Sequence, residues 1–157
     1  MTDSPLSKEQ QALLHELTEQ APADAIIGHL TRRLHQAFNS GWLANAPMEV
    51  TPPQLLMLTF LSRFPGSDQI SLAYACSMDR STTATLVKSL EKANLLTRTR
   101  DPNDGRRWCL NITPQGQDIV DICNAEVPAV NKKVLKNLNP EQIEQLTSLI
   151  KLALGPT

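Results

Sequence analysis

Apolar residues recur along most of this chain at three- and four-residue intervals, the spacing of one helix face. Leu13, Leu14 and Leu17 follow Ser7-Lys8-Glu9-Gln10, a capping-box spacing in which serine and glutamine satisfy the orphan amides of a helix start. Beyond a break at Pro22, the stripe resumes with Ile26, Ile27, Leu30, Leu34, Ala37 and Phe38, and Gly41 or Pro47 is expected to stop it. Thr51-Pro52-Pro53-Gln54 predicts the next start, with threonine as cap and proline in the first turn. Its buried face is Leu55, Leu58, Phe60 and Leu61, and Phe64-Pro65-Gly66 ends it. Ser67 or Asp68 then caps a short helix carrying Ile70, Leu72, Ala73 and Ala75. After a turn near Ser77-Met78, Asp79 caps another helix that runs to about Ala93, with a stripe of Ala84, Leu86 or Val87, and Leu90.

The period then drops to two. Leu96-Thr97-Arg98-Thr99-Arg100 and Trp108-Cys109-Leu110-Asn111-Ile112 alternate, and the segment between them, Asp101-Pro102-Asn103-Asp104-Gly105, is dense in turn formers. A hairpin of this size is marginal alone, so it must lean on the preceding helices. Helical spacing returns at Thr113-Pro114 with Ile119, Ile122, Cys123, Val127, Val130 and Val134, and Pro128 predicts a kink. Asn139-Pro140-Glu141 opens the last helix, whose stripe is Ile143, Leu146, Leu149 and Ile150. The fold class is therefore mainly α. Helix, turn, helix and hairpin in succession describe a winged helix–turn–helix with a two-stranded β-hairpin wing.

With 157 residues and 41% of them apolar, the chain can build one core, and wholesale disorder is not expected. No apolar run approaches the ~18 residues of a membrane span, and the first residues lack the basic-then-apolar layout of a secretory signal. The three cysteines, Cys76, Cys109 and Cys123, cannot all pair with one another, so reduced thiols in the cytoplasm are the simplest reading. The Gly-x-Ser-x-Gly, phosphate-cradling and His-Glu-x-x-His signatures are missing, which argues against an enzyme. His15, His29 and His35 show no metal-ligand spacing with cysteines or acids, and no cofactor is implied.

A net charge of −1 at first argues against a nucleic-acid partner. Its distribution reverses that inference. From Arg80 to Arg107 there are seven Lys/Arg against three Asp/Glu, a local net of +4, and the remainder carries −5. The second helix of a helix–turn–helix enters the major groove, so its outer face needs hydrogen-bonding groups without bulk. Arg80, Ser81, Thr82, Thr83, Thr85, Lys88 and Ser89 meet that need. Arg98, Arg100, Arg106 and Arg107 cluster on the hairpin, where arginines suit the negative potential of a narrow minor groove. Asp104, two residues before Arg106, is placed to hold its guanidinium in a fixed geometry. A winged helix serving only as a protein-interaction module, without a DNA target, is the rival from another class.

Asp79-Arg80-Ser81-Thr82, Leu90-Glu91, Arg100-Asp101-Pro102-x-Asp104-x-Arg106 and Ile112-Thr113-Pro114-x-Gly116 resemble the MarR family of winged-helix transcriptional regulators. The resemblance runs from about Thr51 to Gly116. It departs at Ser77 and Asn94, where the family commonly has glycine, and at Gly105, where a tip arginine is common. The resemblance implies a homodimer on a double-stranded, pseudo-palindromic DNA operator. It divides the chain into an N-terminal helical dimerisation region over 1–48, a DNA-binding domain over 49–113 and C-terminal dimerisation helices over 114–157. The stripes of Leu13, Leu14, Leu17, Ile143, Leu146 and Ile150 fit that use.

Arg32-Arg33-Leu34-His35-Gln36 is similar to a stretch in members that sense aromatic acids. The resemblance implies that Arg32 or Arg33 pairs a carboxylate and that His35 or Gln36 meets a ring substituent, with Trp42, Met57 and Phe60 as an apolar wall. The expected function is a repressor released from its operator by a small aromatic carboxylate. A thiol-based redox sensor is the alternative, with Cys109 beside Arg107 the cysteine in the most electropositive setting.

Overall fold

The structure, a computed structural model, describes residues 6–45, 50–101 and 107–155. Its elements follow in the order α1 (Lys8–Gln20), α2 (Ala23–Asn45), α3 (Pro52–Arg63), α4 (Gln69–Ala75), α5 (Arg80–Lys92), β1 (Leu96–Arg100), β2 (Trp108–Ile112), α6 (Pro114–Val134) and α7 (Pro140–Leu154). The chain divides into two compact units, Met1–Phe38 and Asn39–Thr157.

In the first unit the capping box forms as its spacing predicts: Ser7 Oγ accepts from the Gln10 amide at 3.2 Å, and Gln10 Oε1 accepts from the Ser7 amide at 2.9 Å. The helix behind it, α1, has no buried residue, and Leu13 and Leu17 are more than half exposed.

In the second unit α3 packs against α4, β2 and α6, while α5 packs against α4 and β1. Met57, Leu58, Leu61, Leu72, Val87, Leu90, Leu96 and Leu110 fill the core between them. Helix starts are set by short polar side chains. Asp68 accepts from the Ser71 amide, Asp79 from Thr82, Thr113 from Gly116 and Asn139 from Gln142. Helix α6 continues through Pro128 to Val134. Helix α7, like α1, has no buried residue.

Gly41 does not end α2 as its type led us to expect. It lies inside the helix, where an added Cβ would stand 3.0 Å from Val134 Cγ2 and 3.4 Å from Val130 Cγ1. The glycine serves the close approach of α6. At the next residue, the Trp42 indole is buried and donates to the Val50 carbonyl at 2.6 Å.

The hairpin pairs Leu96 with Ile112, Arg98 with Leu110 and Arg100 with Trp108 in antiparallel register. It is fastened to the α3–α4 turn: the Gly66 amide donates to Leu110 O, and the Leu110 amide donates to Ser67 O, both at 2.9 Å. Among the described residues no helix is long and apolar enough to cross a membrane.

Among the described residues two that are not glycine have positive φ, Ser77 at 51° and Asn94 at 59°. Asparagine tolerates that region and serine does so less well. Replacing Ser77 with Gly is therefore expected to raise the unfolding free energy by about 0.5–1 kcal/mol, while Asn94→Gly changes it little. Urea denaturation midpoints check both; a drop for Ser77→Gly would contradict the strain assignment.

Candidate nucleic-acid interface

Helix α5 begins at Asp79, whose carboxylate gathers the first turn. It accepts from the Thr82 amide at 2.9 Å, from Thr82 Oγ1 at 2.6 Å and from Ser81 Oγ at 2.7 Å. These bonds, the Thr82 hydroxyl first, hold the Asp79 carboxyl far below the usual carboxylate range. Arg80, Ser81, Thr82, Thr85 and Lys88 are all exposed. Thr85 Oγ1 donates to Ser81 O at 3.0 Å, and Ser89 Oγ accepts from Gln54 Nε2 on α3 at 3.3 Å.

Thr83 corrects the sequence reading. It was expected on the outer face, yet it is wholly buried, in phase with Val87 and Leu90. Its hydroxyl donates to Asp79 O at 2.8 Å, which lets a polar side chain sit in the core without an unmet proton.

On the wing, Arg98 and Arg100 both lie over the Trp108 ring, their guanidinium carbons 4.8 and 4.0 Å from its centroid. Arg98 is half-buried on the strand face that carries Leu96 and Leu110, and its Nε is buried without a hydrogen-bond partner among the described residues. Arg107 reaches back to the helix–turn–helix, with Nη2 at 2.9 Å from Asp68 Oδ2. Asp68 is itself held below the usual carboxylate range, chiefly by the Ser71 amide and less by Arg107. A cleft of about 240 Å³ lies between these parts, lined by Asp68, Ile70, Arg98, Arg107, Trp108 and Leu110. The strap between α4 and the wing carries no motif and joins residues far apart in sequence. The expected Asp104–Arg106 pair lies outside the described residues.

The expected ligand residues fall into two groups. Arg32, Arg33, His35 and Gln36 are exposed in the first unit. Arg33 lines a groove of about 460 Å³ together with Leu14, His15, Thr18, Glu19 and Leu30. Sequence reading missed His15 and Thr18, because their meeting with Arg33 depends on how α1 and α2 fold together. In the second unit Trp42 and Met57 are buried in the core, Met57 completely, and Phe60 is half-buried with its ring 5.0 Å from that of Phe64.

The cysteines differ in setting. Burial pushes the Cys76 and Cys123 thiols up, away from the reactive thiolate. Cys109 faces an acid: its thiol donates to Asp101 Oδ2 at 3.8 Å, so the electropositive setting expected from Arg107 is not the one observed.

A family model described as the MarR family matches residues 50–108, which run from the start of α3 into the wing. The structure is similar to that of the PcaV transcriptional regulator from Streptomyces coelicolor, solved in complex with its natural ligand, with a TM-score of 0.78 and 32% identity over 85% of this chain and 95% of that one. The chain belongs to the MarR family. It is also 36% identical to a putative transcriptional regulatory protein for the hcr operon of Thauera aromatica, over 66% of this chain and 63% of that protein. It is 29% identical to an HTH-type transcriptional repressor from Mycobacterium tuberculosis, over 82% and 94% of the two lengths. The winged-helix unit of α3–α5 and the hairpin is thus that of a MarR-family transcriptional regulator.

Proposed function

We propose that this MarR-family regulator is a homodimeric repressor whose α5 enters the major groove of a pseudo-palindromic operator, and that a small aromatic carboxylate releases it. The observation that carries the DNA-reading part is the exposed row Arg80, Ser81, Thr82, Thr85 and Lys88 beside a wing bearing Arg100 and Arg107. Resemblance to a named repressor supports the direction of control. Helices α1 and α7, which bury none of their own residues, support the dimer, since they leave Leu17, Leu149 and Leu152 uncovered. Two copies would set their recognition helices about 34 Å apart, one turn of DNA. The Arg33 groove, apolar at Leu14 and Leu30 and polar at His15 and Thr18, supports the carboxylate.

Fluorescence anisotropy on duplexes selected from a random library tests the reading. Affinity should fall steeply with salt, with log K dropping by ~0.9 per neutralised phosphate. Arg106→Ala should weaken binding while sedimentation still reports a dimer. Affinity that is flat in salt would overturn DNA binding as the function. A panel of aromatic carboxylates should raise Tm and release the duplex from the wild type but not from Arg33→Ala; no effect on the wild type would overturn the ligand class alone.

A further inference from the structure

A hydroxyl carries one proton and two lone pairs, so committing the proton fixes what the group offers to anything else. On α5 the commitments are chemically forced. Ser81 Oγ and Thr82 Oγ1 lie 2.7 and 2.6 Å from the two oxygens of the Asp79 carboxylate, and Thr85 Oγ1 lies 3.0 Å from Ser81 O. A carboxylate and a carbonyl hold no proton, so in each pair the hydroxyl must be the donor. The depressed pKa of Asp79 keeps it ionised through the neutral range, and protonation does not reverse the arrangement there. These three exposed hydroxyls therefore offer lone pairs only, whereas Ser89, the fourth exposed hydroxyl of α5, accepts from Gln54. Arg80 and Lys88, on the same helix, carry only donors.

We propose that Asp79, by taking the protons of Ser81 and Thr82, and the Ser81 carbonyl, by taking that of Thr85, set the hydrogen-bond polarity of the recognition helix, so that these three hydroxyls read base amino groups and leave base acceptors to Arg80 and Lys88. This rests on the reading of α5 as the groove-entering helix. In the major groove every base pair shows one amino group, N6 of adenine or N4 of cytosine, against acceptors at N7, O6 or O4. The constraint is thus positional. The preferred half-site places an amino group beneath each hydroxyl that makes contact, and a guanine edge suits the arginine or lysine. Turning Ser81 or Thr82 round to serve a base acceptor would strip a bond from the Asp79 cap, and turning Thr85 would strip its bond to Ser81 O. Asp79 is a positioning residue here, because it acts through its two hydroxyl partners.

The full-length protein is first used to select a preferred duplex from a random library. Single adenines in that duplex are then replaced by purine, which lacks the 6-amino group, and single cytosines by 2-pyrimidinone, which lacks the 4-amino group. Separately, purines are replaced by their 7-deaza analogues, which lack the N7 acceptor. Kd is measured for the wild type, Ser81→Ala, Thr82→Val, Thr85→Val, Arg80→Ala and Lys88→Ala, and double-mutant cycles cancel the weakened base pairing. Removal of one amino group should weaken the wild type roughly three- to tenfold beyond its effect on the matching hydroxyl variant. The 7-deaza losses should couple only to Arg80 or Lys88. Asp79→Asn keeps a capping carbonyl while freeing a hydroxyl proton, and should broaden the selected sequence at the position read by Thr82. Coupling of a hydroxyl to N7, or coupling of the hydroxyls to neither analogue, overturns the polarity assignment while leaving DNA reading intact. Failure to select any duplex overturns the groove-entering reading itself, and the polarity assignment with it.

Discussion

A single methyl group at Gly116 is expected to destabilise this protein by about 3 kcal/mol or more, the upper end of what overpacking costs. An alanine Cβ there would lie 2.1 Å from the carbonyl oxygen of Leu95 and 2.9 Å from Ile112 Cγ1. The first contact is to backbone, which cannot swing aside as a side chain would. Relief requires lifting the start of α6 off the α5–β1 turn, where two bonds hold it. The Thr113 amide donates to Leu95 O at 3.1 Å and Thr113 Oγ1 donates to Asn94 O at 2.8 Å, while the Gly116 amide closes the cap on Thr113 Oγ1 at 3.0 Å. At this chain length the loss corresponds to a Tm lower by roughly 6–12 °C. Gly28→Ala is the control. It lies inside α2, and a Cβ there would meet nothing within 4 Å beyond the backbone of its own helix, so alanine should be neutral or stabilise by up to about 1 kcal/mol. Equal melting of Gly116→Ala and wild type would show that α6 is not seated as described.

The contrast between these glycines marks where sequence reading works and where it stops. A residue's local chemistry is legible. Ser7, Asp68, Asp79, Thr113 and Asn139 each cap the helix that their spacing predicts, because a cap needs only its own next three residues. Both strands of the hairpin fall where the alternation places them. What a residue meets across the fold is less legible. Gly41 reads as a stop and is instead a site of close approach to Val130 and Val134. Thr83 reads as polar surface and is core, though its phase with Val87 and Leu90 could have revealed it. Arg107 and Asp68 find one another only once α4 and the wing are folded, and the same holds for Arg33 with His15 and Thr18. The charge pattern survived best, since the +4 segment from Arg80 to Arg107 contains α5 and β1 and ends at the residue before β2.

Leu110→Ala should be the most damaging change on the wing itself, because Leu110 is where the hairpin joins the core. Leu110 is 1% exposed, belongs to the hydrophobic core, and lines the cleft shared with Arg98 and Trp108. Its amide and carbonyl are tied to Ser67 and Gly66, so the same residue anchors β2 by backbone and by side chain. Truncation of a leucine so placed costs about 2–5 kcal/mol. The backbone bonds remain in the variant, but β2 loses its side-chain hold on the core beside Arg98, its cross-strand partner, which stacks with Arg100 on Trp108. DNA affinity should therefore fall even at temperatures where the variant stays folded. Arg107→Ala separates the two effects. Its ion pair with Asp68 is 49% exposed on the arginine side and 26% on the other, so its removal should change stability by no more than about 1 kcal/mol. It should still weaken DNA binding and reduce the salt slope. If Leu110→Ala melts with the wild type, or if Arg107→Ala destabilises the protein as much as Leu110→Ala does, then the wing is held by its ion pair rather than by its leucine.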